Sequence, residues 1–415
     1  MLLLRLLWRS RRAAAYRERW RERFALYDAQ NKPGKVDIVF HAVSVGEVHA
    51  AVPLIRQLQT QDPDLEILVT TTTPTGSARV SALLSDTVTH VYLPYDIPGA
   101  VKRFLNCISP QLLVIMETEW WPNLLHYSHQ RGIRIMLANA RLSEKSQQNY
   151  GGIAKLARHM LTQFECITAQ SEEDSKRLQM LGADAEKIQV VGNVKYDMSL
   201  NRVQIEQAEK DKAGLQARPV LIAASTRILD GDAEEEKVLK AFALIRAGLP
   251  DALLVLVPRH PERFDEVARM AQKAGFEVAR RSSNTLPGAS ESVLIGDSMG
   301  EMHYYFGLAD VAFVGGSLVN TGCQNIIEPA AMGLPVITGP SRFNFLAVSD
   351  KLIAAGGLAL VADSDELAKK VCELLADADQ RRAMGEAARR TVEANQGATE
   401  RNLAVINDLL LTGRG

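Results

Sequence analysis

Short apolar runs alternate with helical patterns from residue 36 almost to the C-terminus, and this alternation restricts the fold more than any other feature. Most runs are apolar at consecutive positions and rich in β-branched residues, as in parallel strands that helices cover on both faces. Strands are expected at 36–43, 66–72, 90–93, 112–116, 133–138, 165–170 and 188–192 in a first series, and at 220–225, 252–258, 276–281, 292–296, 310–315, 334–339 and 357–362 in a second.

The chain is long enough to bury more than one core, because it has 415 residues of which 47% are hydrophobic. Two series of strands predict an α/β chain of two Rossmann-like domains, with an interdomain cleft facing the carboxyl ends of both sheets. The predicted parts are a basic amphipathic segment at 1–35, a first domain at 36–200, a linker at 201–218, a second domain at 219–390 and a C-terminal helix at 391–415 that returns to the first domain.

The composition argues against several classes of protein. A formal net charge of −1 gives no electrostatic basis for binding nucleic acid. The sequence has no GxGxxG after its first strand and no GxxxxGK[ST], which disfavours dinucleotide dehydrogenases and P-loop NTPases. Its four cysteines are scattered without metal-ligand spacing, which fits a reducing compartment such as the cytoplasm. We therefore predict no metal and no cofactor.

The N-terminal segment is strongly basic. Its apolar start, residues 1–8, is far shorter than the roughly 20 residues that span a bilayer. Apolar and tryptophan side chains followed by arginines are typical of a segment lying on an anionic membrane surface, and a solvated helical extension is the alternative. The arginines concerned are Arg5, Arg9, Arg11, Arg12, Arg17, Arg19, Arg21 and Arg23.

The stretch 309–340 has the pattern of a strand, a glycine turn, a helix and a second strand. Gly315 and Gly316 would let backbone N–H groups approach a ligand closely, and the helix start would supply further donors. Asn325 and Glu328 open that helix, where a carboxylate is placed to accept hydrogen bonds from two ribose hydroxyls. The alternative is an ordinary βαβ unit in which the glutamate only decorates the first turn.

Carboxylates also follow strands of the first domain. Glu47 comes after the first strand at a helix start, where a general base would meet a substrate, although an acid there is often only a partner of the helix dipole. Glu117 and Glu119 follow the fourth strand, and acids after a buried strand end are seldom there for packing. Lys195 follows the last strand and is a candidate cation for a phosphate or carboxylate.

Polar groups follow three strands of the second domain, in AASTR (223–227), PRHPERF (258–264) and GDSMGEM (296–302). In the last motif, Ser298 and Glu301 match a capping box, which gives Glu301 a purely structural alternative. The N–H groups of Met299, Gly300 and Glu301 would form an anion site at the start of that helix.

Ten motifs, in order along the chain, together resemble those of the bacterial 3-deoxy-D-manno-octulosonate (Kdo) transferases that glycosylate lipid A. They are HAVSVGE, TTTPTGS, YLPYD, METEWWPN, NARLSEKS, GNVKYD, VPRHPERF, GDSMGE, FVGGSL and the Asn-x-x-Glu of 325–328. The resemblance implies a GT-B fold and an inverting, metal-independent glycosyltransferase. This enzyme would move Kdo from CMP-Kdo to a lipid A precursor, lipid IVA, and release CMP in lipopolysaccharide core biosynthesis. It would act at the cytoplasmic face of the inner membrane, peripheral or anchored by its N-terminus.

The resemblance also implies roles for individual residues. Glu47 would be the base, with Glu117 and Lys195 supporting the transition state, in an acceptor-binding first domain. The second domain would bind CMP through Pro258, Arg259, Met299, Gly300, Glu301, Asn325, Ile326, Ile327 and Glu328. One alternative is a nucleotide-sugar epimerase or hydrolase of GT-B fold, which would need no lipid-facing segment. Another is a non-catalytic nucleotide-sugar binder, which would not need the carboxylates of the first domain.

Two positions depart from the family's pattern. The family usually reads STHEGEE where this chain has STRILDGDAEEE (225–236), and HNPLE where it has QNIIE (324–328). Arg227 and Gln324 thus stand in place of histidines, and an insertion follows Arg227. The asparagine and glutamate expected to hold CMP remain, so the expected reaction class is unchanged.

Overall fold

The computed structural model describes residues 18–28, 32–84 and 87–411. The chain divides into two compact units, a first unit of Met1–Asp197 with Gln396–Gly415 and a second unit of Met198–Asn395. In the described part, each unit contains a seven-stranded sheet whose neighbouring strands are all parallel. The two series of strands predicted from the sequence are therefore confirmed.

The first unit alternates strands and helices along the chain. Its strands are β1 (Ile38–His41), β2 (Ile67–Thr71), β3 (Thr89–Tyr92), β4 (Leu112–Met116), β5 (Arg134–Ala140), β6 (Cys166–Ala169) and β7 (Ile188–Val190). Its helices are α1 (Val45–Gln61), α2 (Pro74–Leu84), α3 (Pro98–Ile108), α4 (Pro122–His129), α5 (Glu144–Gly151), α6 (Ala154–Leu161) and α7 (Glu172–Met180). Short 3-10 turns occur at Trp20–Phe24, Ala185–Lys187 and Val194–Tyr196.

Both faces of the first sheet are buried, which is why its strands are apolar at consecutive positions. Leu113 and Ile115 of β4 pack in one hydrophobic cluster, whereas Leu112, Val114 and Met116 pack in a second one. The strand order is β3-β2-β1-β4-β5-β6-β7, so the direction of winding reverses between β1 and β4. Ligands of doubly wound sheets bind at the carboxyl ends of the strands beside such a reversal.

The second unit repeats this plan. Its strands are β8 (Val220–Thr226), β9 (Ile228–Leu229), β10 (Asp232–Ala233), β11 (Leu253–Pro258), β12 (Val278–Arg280), β13 (Val293–Ile295), β14 (Val311–Val314), β15 (Val336–Thr338) and β16 (Leu358–Leu360). Its helices are α8 (Arg202–Gly214), α9 (Glu234–Gly248), α10 (Phe264–Lys273), α11 (Met302–Leu308), α12 (Ile327–Ala331), α13 (Leu346–Ala354), α14 (Ser364–Ala376) and α15 (Ala378–Glu393). Further 3-10 turns lie at Pro261–Arg263 and Arg281–Ser283.

The large sheet of the second unit has the order β12-β13-β11-β8-β14-β15-β16, so its reversal lies between β8 and β14. The insertion that follows Arg227 forms an antiparallel hairpin of β9 and β10. Asp230 and Gly231 connect its strands with positive φ angles of 49° and 88°. Asp-Gly is a favoured pair for such a two-residue turn, because both residues must adopt left-handed conformations.

Two segments near the unit boundaries are helical. The predicted linker 201–218 contains α8, which packs against α11 within the second unit, so it is not an extended connection. The C-terminal helix α16 (Ala398–Leu411) packs against α1 and β5 of the first unit. Its buried Asn402 accepts a 2.6 Å hydrogen bond from the Thr168 hydroxyl of β6. Buried polar contacts of this kind fix the register of a helix on a sheet.

The N-terminal membrane interpretation falls mostly on residues 1–17, outside the described residues. For Arg23 it is wrong, since this side chain is only 3% exposed, donates to the Thr72 carbonyl at 3.0 Å and lies 4.0 Å from the centre of the Tyr92 ring. Arg19 is bonded to Glu22 at 2.7 Å, so it too is engaged within the unit. Within residues 18–28, 32–84 and 87–411, the helices are all too short or too polar to cross a membrane.

Candidate active site

Glu47 lies in the first turn of α1, directly after β1. Ser44 is the N-cap of this helix, and its hydroxyl accepts a hydrogen bond from the Glu47 N–H. The Glu47 carboxylate in turn accepts the Val43 N–H at 2.5 Å and the Ser44 hydroxyl at 3.1 Å. These contacts resemble a capping box, with the N–H of Val43 in place of that of the N-cap Ser44, and they hold the carboxylate at the carboxyl end of β1. Glu47 is only 8% exposed.

The environment of Glu47 changes its acidity. Burial, together with the charges of Glu117 and Glu119, raises the pKa of Glu47 to about 8. A carboxyl group that served only the helix dipole would be stabilised in its charged form, with a lowered pKa. A pKa near the working pH is instead what a general base requires. The environment therefore meets this requirement of a general base, and the role of Glu47 stays a prediction.

Glu117 and Lys195 form an ion pair at the same edge of the sheet, with 3.2 Å between Lys195 Nζ and Glu117 Oε1. Glu117 follows β4 in a left-handed conformation with φ of 56°, and its N–H donates to the Ala138 carbonyl of β5. Lys195 lies in the 3-10 turn after β7, where the Asn193 side chain accepts its N–H. The fold thus brings together the three predicted catalytic side chains of the first unit.

A buried hydrogen-bonded chain supports this edge, and the sequence interpretation missed it. Trp121 Nε1–H donates to His41 Nε2 at 3.2 Å, and His41 Nδ1 lies 2.9 Å from the Thr70 hydroxyl. Because an indole N–H can only donate, Nε2 accepts and Nδ1 carries the proton. Burial lowers the pKa of His41 to about 4, so the ring is neutral. The signal in the sequence was a histidine within an otherwise apolar strand.

In the second unit, Asn325 and Glu328 are bonded to each other. Asn325 Nδ2 donates to Glu328 Oε1 at 3.0 Å, while Asn325 Oδ1 accepts the Ile327 N–H at 3.0 Å. Helix α12 begins at Ile327, two residues later than predicted. Burial raises the pKa of Glu328, and the charge of Arg259 opposes this shift. The two side chains therefore hold each other in place. Glu328 also lies close enough to Arg259, which is predicted to bind the phosphate, to be affected by its charge.

The remaining residues predicted to bind CMP differ in whether their side chains are exposed to solvent. The side chains of Ile326 and Ile327 are fully buried in the core, so only their backbone groups can contact a ligand. Pro258 ends β11 and is buried, whereas the following Arg259 is exposed. The N–H of Arg259 donates to the Thr226 carbonyl at 3.0 Å, which fixes its backbone beside the end of β8.

The predicted helix start at Met299 is wrong, because α11 begins at Met302. The Glu301 carboxylate accepts hydrogen bonds from Arg281 at 3.0 and 3.2 Å and from the Ser298 hydroxyl. These bonds lower the pKa of Glu301, with Arg281 the largest contributor. Gly300 has a positive φ of 80°, and its carbonyl accepts from Gln204 of α8 at 2.8 Å. The side chain of Glu301 is therefore engaged within the unit, and Met299 is 62% exposed.

The glycine turn after β14 does not present its N–H groups to a ligand, contrary to the prediction. The fully buried Glu234 accepts the N–H groups of Gly316, Ser317 and Leu318 at 2.6, 2.9 and 2.8 Å. The Gly315 N–H donates to the Ala224 carbonyl of β8. A Cβ on Gly315 would stand 2.7 Å from both Glu234 Oε2 and the backbone Cα of Thr226, so glycine is required by this carboxylate and by the neighbouring backbone together.

Among residues 18–28, 32–84 and 87–411, no group of three or more His, Cys, Asp or Glu side chains is placed to hold a metal ion.

Comparison with known families gives two matches. Residues 18–198 match the model described as 3-deoxy-D-manno-octulosonic-acid transferase (kdotransferase), and residues 207–391 match glycosyl transferases group 1. A 3-deoxy-D-manno-octulosonic acid transferase of Haemophilus influenzae is 42% identical, covering 97% of this chain and 93% of that protein. One from Bordetella pertussis is 38% identical, covering 97% of this chain and 96% of the relative.

Solved structures agree on the architecture. A glycosyltransferase from Rickettsia africae has a TM-score of 0.59 at 14% identity, covering 91% of this chain and 99% of its own. A UDP-GlcNAc 2-epimerase from Neisseria meningitidis has a TM-score of 0.59 at 15% identity, covering 91% of this chain and all of its own. At these identities the likeness shows the fold alone, and the predicted GT-B fold of two Rossmann-like units is confirmed.

Proposed function

This chain belongs to the 3-deoxy-D-manno-octulosonic acid transferase family, and from this premise we propose that it transfers Kdo from CMP-Kdo to a lipid A precursor. The observation that carries the mechanism is the buried Glu47, whose pKa is raised to about 8 at the carboxyl end of β1. A carboxylate with this pKa is a stronger base than an ordinary glutamate, and the fraction of it that is deprotonated grows as the pH rises towards 8. The names of the relatives identify the sugar, and the resemblance of the sequence motifs supplies the donor nucleotide and the acceptor.

In the proposed reaction, a hydroxyl of the acceptor attacks the anomeric carbon of Kdo. The bond between that carbon and the phosphate oxygen breaks, and CMP leaves with the electron pair. Glu47 takes the hydroxyl proton, and inversion follows from attack on the face opposite to CMP. Lys195 supplies positive charge to the transition state, and Glu117 holds its ammonium group at 3.2 Å. No cofactor takes part.

The experiment that tests this function is product analysis. The protein is incubated with CMP-Kdo and a tetraacylated lipid A precursor, and the products are identified by mass spectrometry. Transfer adds Kdo to the lipid and releases one CMP for each Kdo added. A protein that consumes CMP-Kdo equally with and without the lipid, and leaves the lipid unchanged, would be a hydrolase or epimerase instead.

The donor half of the proposal gives a prediction for Glu328. Replacing Glu328 with alanine is expected to weaken CMP binding by about 1–3 kcal/mol, the cost of leaving buried hydrogen-bonding groups without a partner. The partners lost are the ribose hydroxyls and Asn325 Nδ2, which now donates to Glu328 at 3.0 Å. Calorimetric titration with CMP measures the change. The exposed Glu262 is a matched control, and unchanged CMP affinity in the Glu328→Ala protein would refute the ribose contact.

The membrane half of the proposal concerns residues 1–17, at the cytoplasmic face of the inner membrane. The five arginines Arg5, Arg9, Arg11, Arg12 and Arg17 would each add about 1 kcal/mol of attraction to anionic lipid. Deleting residues 1–17 is therefore expected to reduce sedimentation with anionic vesicles and to remove its dependence on salt. The deletion spares Arg19 and Arg23, which are engaged within the first unit. Sedimentation that persists without residues 1–17 would place the lipid contact elsewhere.

A further inference from the structure

Arg227 occupies the carboxyl end of β8, beside the reversal of strand order in the second sheet. Its backbone is held on both sides by Glu234. The Arg227 N–H donates to Glu234 Oε2 at 3.1 Å, and the Arg227 carbonyl accepts the Glu234 N–H at 2.9 Å. The hairpin of β9 and β10 lies between these two residues in the chain, so it leaves the sheet and returns without displacing Arg227. The side chain is therefore presented from a fixed position.

A second arginine lies directly beside it. Strands β8 and β11 are neighbours, Thr226 pairs with Pro258, and the Arg259 N–H donates to the Thr226 carbonyl. Arg227 and Arg259 are thus the first residues after two adjacent strands, which are about 5 Å apart in a sheet. This is the edge at which ligands of doubly wound sheets bind.

The charge of Arg227 is not neutralised by an ion pair in the part of the chain that the structure describes. Its Nε atom is buried without a hydrogen-bond partner there. Arg263 provides the contrast, because its guanidinium is bonded to Glu235 at 2.7 Å and to Glu266 at 3.2 Å. Burial lowers the pKa of His260, and the charges of Arg227 and Arg259 lower it further. Uncompensated positive charge of this kind opposes folding and is retained where an anion binds.

We propose that Arg227 binds the carboxylate of the donor's sugar, which leaves Arg259 to bind the phosphate. This rests on the proposed function, since the sugar of this family is by name an acid and its CMP derivative carries both a carboxylate and a phosphodiester. Two anionic groups require two sets of donors. The loop N–H groups of Gly316, Ser317 and Leu318 are occupied by Glu234, so this loop does not supply them, whereas the two arginine side chains can. A guanidinium matches a carboxylate with two parallel hydrogen bonds.

The test compares two ligands in two variants. In the Arg227→Gln protein, KM for CMP-Kdo is expected to rise about 10- to 100-fold, as for the loss of charged hydrogen bonds, whereas the inhibition constant of CMP changes less than about threefold. In the Arg259→Gln protein both constants are expected to rise. Arg227→Lys keeps the positive charge but cannot form the two parallel hydrogen bonds of a guanidinium. Its affinity for CMP-Kdo should therefore lie between those of the unmutated protein and Arg227→Gln.

Two outcomes would overturn this role of Arg227. If CMP inhibition weakens in Arg227→Gln as much as KM rises, Arg227 binds the phosphate and the assignment is overturned. If neither constant changes, Arg227 is not a ligand. The exposed Arg269 of α10 provides the control for loss of a surface charge, and thermal melting checks the fold of each variant. Failure of the unmutated protein to transfer Kdo while it still binds CMP would contradict the proposed function rather than the role of Arg227.

Discussion

Replacing Glu47 with glutamine is expected to lower turnover by about 10²–10⁴-fold, the usual contribution of general-base catalysis, with little change in CMP affinity and no fall in melting temperature. Glutamine keeps the size of the side chain. Its carbonyl can accept the Val43 N–H while its amide group faces the Ser44 hydroxyl, so both present contacts have replacements. It cannot accept a proton from the substrate. Turnover and thermal melting are measured on the same sample.

The pH dependence provides the control for this variant. Since the base acts when deprotonated, turnover should rise about tenfold per pH unit up to about pH 8 and then level off. The charge of Glu119 contributes to the raised pKa of Glu47, so in Glu119→Gln this rising limb of the pH profile of turnover should move to lower pH. The limb should be absent from Glu47→Gln. A glutamine variant that kept its turnover and its limb would assign the base to Glu117 or Glu119.

The same pKa shift determines how Glu47 affects stability. Its folded pKa of about 8 lies above the ordinary value of 4.5, so the native state holds the proton more tightly than the unfolded chain does. The stabilisation that Glu47 contributes is therefore complete below pH 4.5 and is lost as the pH rises through about 8. Relative to Glu47→Gln, the unmutated protein should melt progressively earlier over this range. A dipole partner would show the opposite trend.

The strands were predictable because parallel sheets buried on both faces require consecutive apolar residues. In β4, Leu113 and Ile115 contact one hydrophobic cluster and Val114 another, so all five positions of the strand are buried and apolar. The positions of Glu47 and Glu117 followed from the same rule, since residues after neighbouring parallel strands meet at one edge of the sheet. Their roles remain predictions that the variants described here would test.

The glycine turn was not predictable, because its partner lies 82 residues earlier in the chain. A glycine pair after a strand indicates a close approach of backbone to something, and the sequence does not say whether that is a ligand or a carboxylate. Glu234 had the pattern of an ordinary acid in the first turn of α9. The hydrogen bonds of the neutral His41 ring were not predictable for the same reason, because its partners Trp121 and Thr70 are distant from it in the sequence.

Replacing Glu234 with alanine is expected to destabilise the second unit by about 3–5 kcal/mol. Four backbone N–H groups, those of Arg227, Gly316, Ser317 and Leu318, would lose their acceptor. Each buried unsatisfied donor costs about 1–3 kcal/mol, and the loop can relax, so the total is smaller than the sum. Glu236→Ala is the matched control, because this exposed acid lies in the same turn and contributes only about 0.3–1 kcal/mol of stability through the helix dipole.

The two units can be followed separately in this experiment, because all four tryptophans precede residue 197. Tryptophan fluorescence therefore reports the first unit, whereas far-ultraviolet circular dichroism reports both. In Glu234→Ala, circular dichroism should show an early transition that fluorescence lacks, and CMP binding should be lost with it, since the loop from Gly315 leads to Asn325. If both probes instead showed one transition, at the melting temperature of the unmutated protein, water would have replaced the carboxylate as the hydrogen-bond acceptor. Glu234 would then not be the anchor of the glycine turn.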